Sequence, residues 1–311
     1  MCSLPKYAVL DGGSATDLVR AGHEFIDEDP LWSARLLATD PDSIRQMHRR
    51  FLEAGSDIIE TCTYQASIDG FVKYLSVNEE KARDLIRSGV KLASAVRDEF
   101  WSKSQNAGRR RPLVAGSIGP YGACLHDGSE YTGAYVDDIS VQELKDWHRP
   151  RIQVLSEAGV DLLAVDTIPA QKEAEALVSL LSEFPQLKAW ISFSCKDETH
   201  LNHGEKYEDA VRAIIENSQV IGVGVNCTPP QYVSSLVRSI HSLVGEKAVV
   251  VYPNSGETWT KDKKWEKGET YKPTKDCVDE WLAEGATWIG GCCRVYPEDI
   301  SGIRTKMAAL L

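Results

Sequence analysis

"EAGVDLLAVDT", residues 157–167, decides how this chain is read. Glu157 and Ala158 close an amphipathic run that begins at Val141. Gly159 follows, a residue that takes left-handed backbone at a helix C-terminus without steric cost. Next comes Asp161–Val165, an apolar run with no polar alternation, which predicts a strand buried on both faces. The strand stops at two polar residues, Asp166 and Thr167. The stretch therefore reads as helix, glycine, buried strand and polar strand end.

The same junction recurs on either side. Glu53-Ala54-Gly55-Ser56-Asp57 and Ala283-Glu284-Gly285-Ala286-Thr287 repeat the helix-to-glycine-to-strand pattern. Further buried-strand runs are Tyr7–Leu10, Asp57–Ile59, Leu113–Ala115, Ala189–Phe193, Val220–Val225, Ala248–Tyr252 and Thr287–Ile289. Helical periodicity fills the intervals. It covers the segment opened by Asp40-Pro41-Asp42 up to Gly55, then Glu79–Trp101, Val141–Ala158, Gln171–Phe184, Tyr207–Asn217, Tyr232–Val244, Thr274–Ala283 and Pro297–Leu310. Strand and helix alternate with a repeat of about 40 residues, the arithmetic of one (β/α)8 TIM-type barrel spanning residues 1–311. A doubly wound sheet is the alternative arrangement of the same elements. The barrel reading gathers chemistry at the C-terminal ends of the strands.

Composition narrows the function. A net charge of −11 and a pI near 5.2 exclude a nucleic-acid binder, because phosphate repels such a surface. The one basic run, Arg109-Arg110-Arg111, reads as a solvated loop. No segment is apolar and long enough to span a bilayer, and the N-terminal residues carry no signal-peptide pattern, so a cytoplasmic location is expected. In a reducing compartment the 8 cysteines are expected as thiols or metal ligands rather than a disulfide framework. The chain ends soon after its last helix, which leads us to expect a monomer or weak homo-oligomer.

The strand ends are polar. They read Asp11-Gly12-Gly13-Ser14, Glu60 to Gln65, Gly116 to Gly122, Asp166-Thr167, Asn226-Cys227-Thr228, Tyr252 to Glu257 and Gly290 to Cys293. Cys227 ends the sixth strand and Cys292–Cys293 the eighth, so three thiols converge on one mouth. Neighbouring residues on a strand point to opposite faces. Both adjacent cysteines can reach one ion only if the chain bends, as Gly290 and Gly291 permit. Three thiolates with an open fourth position suit catalytic zinc. A vicinal disulfide and plain burial of the cysteines remain alternatives here.

Taken together, "LDGG" (Leu10–Gly13), "ETCTYQAS" (Glu60–Ser67), "VAGSIGPYGA" (Val114–Ala123), "GVNC" (Gly224–Cys227), "YPNSGE" (Tyr252–Glu257) and "GGCCR" (Gly290–Arg294) resemble the zinc-dependent homocysteine S-methyltransferases. The resemblance runs in order from Tyr7 to about Arg304. It implies a (β/α)8 barrel with zinc on Cys227, Cys292 and Cys293. It also implies homocysteine as acceptor, its sulfur in the open position as thiolate, attacking an electrophilic methyl group. The substrate's amino and carboxylate groups fall near Asp11 and Asp166, with the Gly12 and Gly13 N–H groups suited to the carboxylate. The family's fourth strand usually ends in Glu, and Asp166 is one methylene shorter.

Family donors are S-methylmethionine, S-adenosylmethionine, betaine or a methylfolate. The chain has no room for folate or cobalamin modules. "PLWSA" (Pro30–Ala34) and "YPNSGE" resemble the sulfonium-using branch, and Gln65 stands where the betaine enzymes carry Tyr. Trp32, Tyr121 and Tyr131 are candidates to face a donor cation. The alternatives are betaine as donor, or a non-catalytic barrel that binds metal structurally or senses redox state. Cys62 and Cys195 are expected to be packing residues. His48, His148 and His241 are expected to be structural or exposed, and the Gly119–Ser140 loop is a candidate lid.

Overall fold

A computed structural model describes residues 4–104, 108–259, 265–267 and 271–311. Cys2 and residues 105–107 of the loop before Arg109 lie outside the described residues. The barrel strands are β1 (Ala8–Val9), β2 (Ile58–Glu60), β3 (Leu113–Ile118), β4 (Leu162–Ile168), β5 (Ala189–Phe193), β6 (Val220–Asn226), β7 (Ala248–Tyr252) and β8 (Trp288–Ile289). All pair in parallel, and β1 pairs with β8. A bridge from Leu10 to Ile58 joins β1 to β2 and closes the ring, which rules out the doubly wound sheet.

The surrounding helices are α1 (Pro41–Ala54), α2 (Glu79–Ser104), α3 (Val141–Ala158), α4 (Gln171–Leu181), α5 (Tyr207–Ile214), α6 (Pro230–Ile240), α7 (Thr274–Glu284) and α8 (Pro297–Met307). Their ends follow the local chemistry. Asp40 caps α1 by accepting from Ser43 N–H at 3.2 Å, and Ser140 and Glu143 form a capping box on α3. Gly55, Gly159 and Gly285 close α1, α3 and α7 at φ 122°, 85° and 110°. Those are the three glycines that the sequence marks as helix ends.

Two apolar layers hold the barrel. Inside it, Leu10, Ile58, Leu162, Trp190, Val250 and Trp288 pack together, with Trp190 and Trp288 edge-to-face at 5.8 Å. A larger layer, including Phe51, Ile152, Leu177 and Val251, lies between strands and helices. β4 is buried at every position, as its unbroken apolar run predicts.

Some elements depart from the sequence reading. The segment after β1 forms a helix, Ser14–Arg20, and Ile68–Leu75 forms another. The expected lid loop carries a short helix, Tyr121–Leu125, and two 3-10 turns, Ser129–Tyr131 and Ala134–Asp137. Arg109 is not part of a solvated run. It donates to the Leu52 and Ser56 carbonyls, approaches Asp57 at 3.6 Å and stacks over Phe100. Only Arg110 and Arg111 of that run are exposed. No described helix is long and apolar enough to cross a membrane.

Candidate active site

A cavity opens where the C-terminal ends of the strands meet. Cys227, Cys292 and Cys293 line it together. Their sulfurs are 2.9 Å (227–292), 3.7 Å (227–293) and 3.9 Å (292–293) apart. A tetrahedral zinc with Zn–S near 2.3 Å needs edges of about 3.8 Å. Two edges match. The third is short, yet well beyond a sulfur–sulfur bond. All seven described cysteines are free thiols, which removes the vicinal disulfide from this structure.

The backbone explains how adjacent cysteines turn to one point. After β8 the chain leaves strand geometry: Gly290 N–H donates to Val251 O, Gly291 N–H to Asp11 O, and Cys292 N–H to Pro253 O. A Cβ at Gly13 would lie 2.4 Å from Cys292 O, so the β1 and β8 ends can approach only because the residue is glycine. Cys227, Thr167, Trp32 and Arg294 all adopt left-handed backbone, at φ 47°, 60°, 48° and 61°. Such a conformation costs roughly 1–3 kcal/mol at a non-glycine residue and clusters where function holds it. The first three line the cavity and the fourth follows Cys293. Thr167 is held by Asn226, which accepts its N–H at 2.6 Å and donates to its hydroxyl at 2.7 Å.

Metal-free, the three thiols do not share charge evenly. Hydrogen bonds to Cys227 and Cys293, with burial, push the Cys292 thiol well up. Those that Cys293 makes with Cys227 and Cys292 hold its thiol well below the usual range. One thiolate sits among partners that stay protonated, a donor set that a soft divalent cation completes. Among the described residues this is the one cluster with the geometry to hold a metal ion.

Below the sulfurs lie three buried carboxyls. Asp11 does not line the cavity. Its oxygens accept from Glu60 N–H at 2.8 Å and Tyr252 O–H at 2.7 Å. Burial pushes Asp11 up to about 7, against those two bonds. Asp166 lines the cavity, and its Oδ1 accepts from Trp190 Nε1 at 2.9 Å and Ser192 Oγ at 2.7 Å. Burial raises Asp166 too. Glu60, absent from the residues singled out in the sequence, lines the same wall. Burial, then the charges of Asp166 and Asp11, hold it well above the usual carboxylate range. Its signal is the one that marks Asp166: an acid that continues an apolar strand, "DIIE" beside "LLAVD".

The other expected residues divide. Gly12 and Gly13 line the cavity, but Gly13 N–H donates to Val295 O at 2.8 Å and is not free for a carboxylate. Trp32 lines the wall beside Tyr64, ring centroids 5.7 Å apart. Tyr131, 49% exposed, leans over the mouth with its hydroxyl 3.7 Å from Cys227 Sγ. Tyr121 stands away from the mouth. It packs on Tyr135 and Trp147, at 5.5 and 5.1 Å, outside the cavity lining. Tyr64, at the end of the β2 motif, takes the place on the wall expected of it. Gln65 also stands back, donating to Pro30 O at 3.0 Å and so steadying the segment that carries Trp32.

The sequence model of the homocysteine S-methyltransferases matches residues 8–307. Homocysteine S-methyltransferase 1 of Zea mays is 45% identical over 304 residues, covering 95% of this chain and 93% of its own. Betaine-homocysteine S-methyltransferase of Drosophila melanogaster is 42% identical over 310 residues, 96% of this chain and 93% of its own. The crystal structure of the metallated homocysteine methyltransferase MmuM from Escherichia coli superposes with a TM-score of 0.85 at 37% identity, covering 97% of this chain and 96% of that one. With its closed barrel and strand-end thiols, the chain belongs to the homocysteine S-methyltransferase family.

Proposed function

We propose that the chain, acting as one barrel unit, transfers a methyl group from a sulfonium donor, S-methylmethionine or S-adenosylmethionine, to homocysteine, giving methionine. The convergence of Cys227, Cys292 and Cys293 within one cavity, beside buried acids and an aromatic wall, carries the reading. Zinc bound to the three sulfurs would keep the acceptor sulfur as a thiolate at neutral pH. The remaining work belongs to the chain. The carboxyl wall faces the acceptor's ammonium, and the Gly12–Ser14 turn lies on the side left for its carboxylate. Trp32, Tyr64 and Tyr131 line the cavity with aromatic rings suited to a cation and limit water at the transfer point. The sulfur–methyl bond of the donor breaks as the new one forms on homocysteine. The donor leaves as a neutral thioether, so no acid or base is needed in that step.

Methionine formation from homocysteine, measured on zinc-loaded protein with S-methylmethionine, S-adenosylmethionine and betaine in parallel, tests this. Turnover is expected with a sulfonium donor and not with betaine. Turnover with betaine alone would replace the donor, and none with any donor would end the reading.

A further inference from the structure

The wall below the sulfurs gathers three buried carboxyls without a counter-ion. Among the described residues, Asp11, Glu60 and Asp166 form no ion pair with a Lys, Arg or His. Buried carboxyls are normally paired or fully hydrogen-bonded. Asp11 satisfies that rule through Glu60 N–H and Tyr252 O–H. Asp166 satisfies half of it: Oδ1 takes two donors, and buried Oδ2 has only the Glu60 carboxyl to bond with. Glu60, 8% exposed, bonds through its side chain with Asp166 and Ser117 alone, and its buried Oε1 takes no N–H. Both carboxyls adjoin and both line the cavity. Two carboxyls from the ends of β2 and β4, with β3 between them, each with an oxygen that no N–H of the chain satisfies, make a receptor for a cation bearing several N–H donors.

We propose that Glu60 and Asp166 together read the α-ammonium of the acceptor, so that its amino group is held by a β2–β4 carboxyl pair rather than by β4 alone. The inference rests on homocysteine being the acceptor. Asp166 cannot serve by itself in this geometry. Its short side chain is pinned through Oδ1 to Trp190 and Ser192, which leaves one oxygen for three N–H groups. Glu60 has one more methylene and supplies the second oxygen from the neighbouring wall. Its backbone N–H is fixed on Asp11, so the side chain starts from a rigid strand end. A thiol of the same length without the amino group gains nothing from this pair and leaves it without a cation.

The test is thiol binding to the zinc-loaded protein by calorimetry, with homocysteine and its des-amino analogue 4-mercaptobutanoate. Wild type is expected to prefer homocysteine. Glu60→Gln keeps the shape and turns an amide N–H toward Asp166, so homocysteine affinity should fall by about ten-fold or more. The affinity for 4-mercaptobutanoate should stay within about two-fold, because its contacts are untouched. Glu60→Asp, which keeps the charge but withdraws it, should weaken homocysteine less than Gln does. Unchanged homocysteine affinity in Glu60→Gln, or equal weakening of both thiols, overturns the assignment. If wild type binds neither thiol, the acceptor reading itself fails, and this inference with it. Zinc content and circular dichroism of each variant show whether the site is intact; should Glu60→Gln not fold, Glu60→Asp and wild type decide, and equal weakening of both thiols by Asp overturns the pairing.

Discussion

Single atoms set what this site does. In the metal-free cluster Cys292 is pushed up and Cys293 down by the same contacts. Metal binding must therefore expel protons that the thiols still hold. We expect a zinc titration in weakly buffered solution near neutral pH to release about two protons per site. Replacing Cys227, Cys292 or Cys293 with Ala should abolish tight zinc binding. A Cys→Ala variant that retains stoichiometric zinc would remove that residue from the ligand set. Asp166→Asn is informative for a different reason. The Asn carbonyl can still accept from Trp190 and Ser192, so only the second oxygen, beside Glu60, is altered. One charge-assisted bond is worth roughly 1.5–3 kcal/mol, so homocysteine should bind about ten- to a hundred-fold more weakly. Equal affinity in wild type and variant would show that Asp166 only shapes the barrel.

Helices and loops decide how firmly those atoms are held. Glu173 at the start of α4 is fully buried and gathers Tyr121 N–H at 2.7 Å, His148 Nε2 at 2.8 Å and the Tyr135 hydroxyl. It thereby clasps the Gly119–Ser140 segment, which delivers Tyr131 to the mouth. In α1, His48 is buried with both ring nitrogens unpartnered, and burial lowers it to about 4 from an ordinary 6.5. A depressed histidine contributes stability that is present above the unfolded value and is lost as pH falls toward the folded one. The window is therefore about pH 6.5 down to 4, and the loss amounts to about 3 kcal/mol. His48→Leu gives up no hydrogen bond. Its urea midpoint should track wild type above pH 7 and overtake it progressively toward pH 4. Parallel curves over that range would mean that His48 is not held neutral.

At the scale of the molecule, the sulfur cluster joins only the ends of β6 and β8, with β7 between them. The ring is closed elsewhere by strand pairing and by the Leu10–Ile58 bridge, and two apolar layers pack on either side of it. A metal that binds only the native state adds stability without being needed for it. Removing the metal should lower the thermal midpoint yet leave a cooperative transition and an unchanged far-ultraviolet spectrum. Loss of barrel secondary structure on chelation would make the metal structural and contradict the open-site reading.

What the sequence determined by itself is local. Apolar runs with glycine-ended helices before them mark the barrel strands, because burial on both faces and left-handed helix ends each demand particular residues at particular positions. Cys227, Cys292 and Cys293 were legible because eight-fold alternation places strand ends together. Glu60 carries the same mark as Asp166, an acid that continues an apolar strand. The choice among aromatic residues was not legible. Tyr121 and Tyr64 both follow strand ends, but a Cβ direction depends on backbone that tertiary contacts impose, as at Trp32, Thr167 and Cys227. Nor does the chain text say which carboxyl oxygens are taken. Trp190, Ser192 and Tyr252 come from β5 and β7, and only the closed barrel brings their donors to Asp166 and Asp11 and sets Glu60 against the other oxygen of Asp166.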